Sequence, residues 1–150
     1  MSLSQAEFDA ILKDNSKTIK GDIIWREESL WFKFKAEIQM DLGNYQLSVR
    51  GTYNPMIDAL SYHLIYPPYG RIYGLDLGKN HKNPDGELVG EKHKHRWSEI
   101  YRDKQAYVPL DITAAAQDPV QVWNQFCQEA NLQHQGRMSP PDLQQLNLFL

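Results

Sequence analysis

A run of strict alternation from Leu30 to Met40 constrains this chain more than any other feature. Leu30, Phe32, Phe34, Ala36, Ile38 and Met40 take every second position, and Trp31, Lys33, Lys35, Glu37 and Gln39 fill the others. A period of two sends one set to a buried face and the other to water, the signature of a half-buried β-strand. Asp41 to Asn44, with Gly43, reads as a turn. Tyr45, Leu47, Val49, Gly51 and Tyr53 then alternate with polar residues on a return strand. Residues 57–66 and 71–77 read as further strands, with an earlier one at 22–26. Short connections imply antiparallel neighbours, because a parallel pair needs a long crossover.

Helices flank this meander. Ser4 and Glu7 have the form of a capping box, and Phe8, Ile11 and Leu12 share one helical face, so 4–14 reads as a helix. Asp118-Pro119 suits an N-cap followed by proline in the first turn. Val122, Trp123, Phe126, Cys127 and Ala130 extend an apolar stripe to about residue 131. The expected fold is α+β: an N-terminal helix, an antiparallel sheet of about five strands, and a C-terminal helix packed on it. Residues 1–132 form the expected domain. Residues 133–150, polar and punctuated by Gly136, Pro140 and Pro141, are expected to be a linker and C-terminal peptide, a flexible tail.

With 150 residues and a net charge of −3, the chain suits one domain and excludes a surface coated in positive charge. A single cysteine, Cys127, rules out an internal disulfide and any multi-cysteine zinc site, and a reducing cytoplasm is the expected compartment. No run approaches the ~18 apolar residues a membrane span requires, so no membrane partner is expected.

Chemistry concentrates in residues 78–104, too long a stretch to be an idle connection. His81, His93 and His95 fall within one 15-residue segment. If residues 93–97 are a strand, His93 and His95 point to the same face. Two imidazoles so placed suit a divalent metal, with His81 or Asp76 as third ligand. Asn83, Asp85 and Glu91 are candidates for supporting or water-activating roles. Such a set suits metal-assisted hydrolysis of a phosphodiester. His63, on a strand, reads as a structural histidine. Between 79 and 104 basic residues outnumber acidic ones, and Lys92, Lys94, Arg96 and Trp97 are the candidates for phosphate contact and base stacking. The competing reading is a solvated loop whose aromatics anchor it to the core.

The tail carries the second signal. Gln145-Leu146-Asn147-Leu148-Phe149 resembles the bacterial sliding-clamp-binding pentapeptide, written Gln-Leu-Ser/Asp-Leu-Phe. The resemblance implies that Gln145 is the polar anchor in a clamp groove, Leu146 the first apolar contact, and Leu148 with Phe149 the main plug. Asn147 departs from Ser/Asp but stays small and polar. It implies a small bacterial or phage accessory protein of DNA metabolism, with the clamp and DNA as partners. Alternatives are a metal-dependent hydrolase or nuclease built on the histidines, and a non-enzymatic interaction module. Leu143, Leu146 and Phe149, spaced by three, also permit a helical stripe packed back on the domain.

Overall fold

The computed structural model describes residues 2–41 and 45–143; the expected turn at Asp41–Asn44 falls largely outside them. Helix α1 (Gln5–Lys13) starts at Ser4, whose hydroxyl accepts from the Glu7 amide at 3.1 Å. Its end is closed by Lys17, a fully buried lysine. The Lys17 ammonium donates to the carbonyls of Ile11 (2.6 Å), Leu12 (3.0 Å) and Asp14, placing a cation on the acceptors exposed by the last turn.

The sheet is an antiparallel meander of seven strands: β2 (Arg26–Glu28), β3 (Trp31–Glu37), β4 (Ser48–Asn54), β5 (Ala59–Tyr66), β6 (Gly70–Leu77), β7 (Lys92–Arg96) and β8 (Ala106–Tyr107). The alternation at 30–40 and 45–53 is therefore a hairpin, as the sequence implies, and the α+β class holds. The chain exceeds the expected five strands by β7, which the sequence allows at 93–97, and by β8, whose two residues are too few to show a period. The expected strand at 22–26 also shifts, with sheet pairing beginning only at Arg26.

One register row runs Phe34, Gly51, Tyr62, Leu75, Lys94, Tyr107 across six strands. This face carries the core. Gly51 leaves space for the Phe34 ring, which meets Trp25 edge-on at 4.9 Å and Trp123 at 5.8 Å. Trp123 belongs to helix α2 (Pro119–Glu129), which buries Val122, Trp123 and Phe126 in the same cluster. The Tyr62 hydroxyl, on this face, donates to the Pro119 carbonyl at 2.6 Å. Asp118 caps α2, accepting from the Gln121 amide at 3.2 Å.

Residues 133–139 are not a linker. Strand β9 (Gln133–His134) pairs in parallel with β1 (Thr18–Ile19), and the chain continues alongside to an Ile23–Met138 bridge. Met138 is buried, and the indole of Trp123 donates to His134 at 3.1 Å. The attachment runs mainly through main-chain hydrogen bonds, which leave no hydrophobic period in the sequence.

Candidate metal centre

On the other face of the sheet, alternation brings polar groups together. Ser61, Asp76 and His93 share one register row, and His63, Gly74 and His95 the next. The 78–91 connection folds over this face. It is closed by a Lys82–Leu88 bridge and a hydrogen bond from the Val89 amide to the His81 carbonyl, 2.9 Å. Asn83 pins it to the sheet edge, exchanging both amide hydrogen bonds with the Ala106 backbone at 3.0 and 2.9 Å. His81 thereby arrives beside the strand histidines, with ring centroids 5.4 Å from His93 and 4.6 Å from His95. One ring nitrogen from each of His81, His93 and His95 lies within 4.8 Å of the others, close enough for the three to share a metal ion.

Asp76 is the hub, its side chain 5% exposed. Its Oδ1 accepts from the Ser61 hydroxyl (2.6 Å) and from His63 Nε2 (2.9 Å). Its Oδ2 faces His93 Nε2 at 3.2 Å and His95 Nε2 at 3.3 Å. Burial alone would raise the Asp76 carboxyl. Hydrogen bonds donated by His63, and by His93 and His95 when their rings carry the second proton, outweigh that and hold it well below the usual carboxylate range. Arg71 stands 3.6 Å from Oδ2 but lies closer to Asp103, at 3.2 Å, so the two carboxylates and one guanidinium leave a negative surplus.

The far ring nitrogens decide the tautomers. His93 Nδ1 faces the Gly90 carbonyl at 2.9 Å and His95 Nδ1 the Asp103 carbonyl at 2.8 Å. A carbonyl only accepts, so both Nδ1 atoms carry protons. Burial pulls the His95 imidazolium down, with the Arg71 charge adding to the effect, against the opposing pull of Asp76. In neutral imidazoles with Nδ1 protonated, each Nε2 directs a lone pair at a carboxylate oxygen. His81 is oriented the other way, its Nε2 on the Lys104 carbonyl at 2.7 Å, which turns Nδ1 toward the cluster.

Other sequence candidates fall elsewhere. Asn83 is structural, while Asp85 and Glu91 are exposed, Asp85 accepting from the Glu87 amide at 2.9 Å. His63, read as structural, does hold Asp76 and borders the three-histidine cluster. Lys94 and Trp97 are corrected as nucleic-acid contacts: both are buried, Lys94 completely. The alternation that aligns His93 with His95 forces Lys94 onto the core face. There its ammonium donates to Asp111 (2.6 Å) and Glu129 (2.9 Å), while Tyr73 (2.5 Å) and Tyr107 (3.0 Å) also donate to Glu129. The Trp97 indole donates to the Leu3 carbonyl at 3.0 Å. Lys92 and Arg96 are exposed, Lys92 donating to the Ile112 carbonyl at 2.8 Å. Gln145, Leu146, Leu148 and Phe149 lie outside the described residues. Ser61, Arg71 and Asp103 had no sequence signal, since strand register brings Ser61, a β-bulge at Ile72 turns Arg71, and loop return brings Asp103 to this site.

Among the described residues no helix is long and apolar enough to cross a membrane. Comparison with curated proteins and with solved structures gave no match. Residues 3–132, the sheet, both helices and the histidine cluster together, match a family of unknown function, DUF6978, and the chain belongs to that family.

Proposed function

We propose that this protein binds one divalent ion of the zinc class through His81, His93 and His95, with Asp76 as fourth donor, and that the ion fastens the 78–91 loop to the sheet. The observation that carries the reading is the pair of buried Nε2 atoms facing Asp76 Oδ2 at 3.2 and 3.3 Å. Without a cation, each ring is either a buried imidazolium or turns its Nε2 lone pair on the carboxylate, and both states are costly. A cation between them removes the conflict. Zinc bonds of about 2.0–2.1 Å set a tetrahedral ligand–ligand edge of about 3.3 Å, which the two Asp76–histidine separations match, while the three histidine nitrogens lie within 4.8 Å of one another and draw together on binding. An Nδ1–H held by a backbone carbonyl is also the outer contact that metal-bound imidazoles make. Imidazole with carboxylate and no thiolate fits zinc among common divalent ions.

Four protein donors make a closed centre, which favours a structural role over the hydrolase alternative, since hydrolysis needs a position open to water. The test is metal analysis of the purified protein by mass spectrometry. One ion per chain, lost in His93→Ala and His95→Ala, supports the reading, and metal-free protein with its histidines intact defeats it.

A second reading rests on Gln145–Phe149. Their match to the clamp-binding pentapeptide supports recruitment of a cytoplasmic accessory protein to the bacterial sliding clamp, with DNA nearby. Binding of the full chain to a purified clamp, measured with and without Leu148→Ala and Phe149→Ala, tests it. Affinity unchanged by the pair would sink the idea.

A further inference from the structure

The sheet face that carries the histidines continues over β2, β3 and β4, where its character changes. Alternation gives it Arg26 and Glu28 from β2, Trp31, Lys33, Lys35 and Glu37 from β3, and Ser48, Arg50 and Thr52 from β4. Arg26, Lys33, Lys35 and Arg50 thus stand against Glu28 and Glu37, a positive surplus on a chain whose total is −3. Glu28 is shared by Arg26 and Lys33, each at 3.7 Å, and Glu37 lies 3.6 Å from Lys35. Arg50 is exposed and forms no ion pair among the described residues. Its cross-strand neighbours are Lys35 on one side and His63 on the other. Like charges set directly opposite destabilise a sheet, and the fold leaves this pair unrelieved. Register steps of about 5–7 Å string Arg26, Lys33, Lys35 and Arg50 into one band. Half-buried Trp31 stands on the same face beside Lys33, and Thr52 lies opposite Lys33.

We propose that this band binds a single-stranded nucleic acid, with Lys33, Lys35 and Arg50 on its phosphates and Trp31 under a base. A polyanion supplies the charge that the face lacks, and it separates Lys35 from Arg50 electrostatically. An indole set among cations is the combination that holds single strands, because every base has a π-face to stack while the cations follow the backbone. A sheet face presents no helix or ribbon to enter a duplex groove, which selects the single strand. The contact therefore falls on β2–β4 rather than at Lys92 and Arg96 of β7. The inference goes beyond both readings above: it needs neither the ion nor the clamp, and its failure leaves the tests of both standing.

Fluorescence anisotropy of a fluorescein-labelled oligothymidylate of about 12 nucleotides, titrated with the full chain, tests it. Each phosphate contact on a single strand adds about 0.7 to the slope of log affinity against log salt. Three to four contacts therefore weaken binding about 20–50-fold between about 50 and 200 mM salt. Lys35→Ala with Arg50→Ala lowers that slope by about 1.4 and weakens binding about tenfold at the lower salt. Trp31→Ala weakens it about tenfold through lost stacking. Lys92→Ala with Arg96→Ala binds as the native protein does. Both Lys35 and Arg50 are exposed, so an unchanged urea midpoint shows that their double variant folds. No binding at the lower salt, or affinity unmoved by the Lys35 and Arg50 pair or by Trp31→Ala, overturns the proposal. So does an equal loss in the Lys92 and Arg96 variant. Polyglutamate that displaces the labelled strand as well as unlabelled oligothymidylate does also overturns it, and assigns the face to an acidic protein segment.

Discussion

The His63 ring lies against Gly74 so closely that a Cβ at position 74 would stand 2.7 Å from its Cδ2. Glycine is needed there for space, because the ring must reach across it to Asp76.

Gly74→Ala accordingly pushes His63 off the Asp76 carboxylate. Overpacking of this kind costs about 1–3 kcal/mol. Urea unfolding of the single variant and of Gly74→Ala with His63→Ala checks the cause: the double variant recovers part of the loss if the clash is with this ring.

With an ion on His81, His93 and His95 as proposed, its removal is expected to loosen the loop before the sheet. With free metal at a hundredfold over its dissociation constant, binding contributes about 2.7 kcal/mol, so a chelator lowers the melting temperature. Limited proteolysis should cut within residues 78–91 of the chelated protein first. His81→Ala reproduces that cleavage without chelator, and a resistant loop in both cases would count against an ion there.

Lys94→Ala leaves Glu129 and Asp111 without their shared cation. Their side chains are 34% and 37% exposed, so water relieves part of the loss, and about 2–3 kcal/mol is expected rather than the full cost of a broken buried pair. Lys92→Ala and Arg96→Ala stay within about 0.5 kcal/mol. Denaturant midpoints of the three variants distinguish a core lysine from surface ones.

Cys127 faces the core from α2, and burial pushes its thiol up to about 12 from an ordinary 9.0. Below pH 9 the thiol is protonated in both states. Between about 9 and 12 the unfolded chain binds fewer protons than the folded one, so this residue's contribution to stability falls as pH rises. Iodoacetamide at pH 8.5 should label Cys127 slowly in native protein and rapidly in urea. Fast native labelling would refute the burial.

The sequence by itself determined the α+β class, the 30–53 hairpin, both capped helices, and the shared face of His93 and His95. Each rests on a local period or a cap, and local periods survive without knowledge of the rest of the chain. The same logic held the information that Lys94 points inward, yet its charge suggested a surface. Only the tertiary structure decided that, because a buried cation is tolerable only where Asp111 and Glu129 arrive from distant segments to meet it. Tertiary structure likewise placed His81, through the return of the 78–91 loop. It brought His63 and Ser61 to Asp76 through strand register, and Arg71 through the β-bulge at Ile72 on the strand it shares with Asp76. Pairing of 133–139 with 17–23 was invisible for the same reason: main-chain hydrogen bonds join any two sequences, and only the folded chain chooses which two.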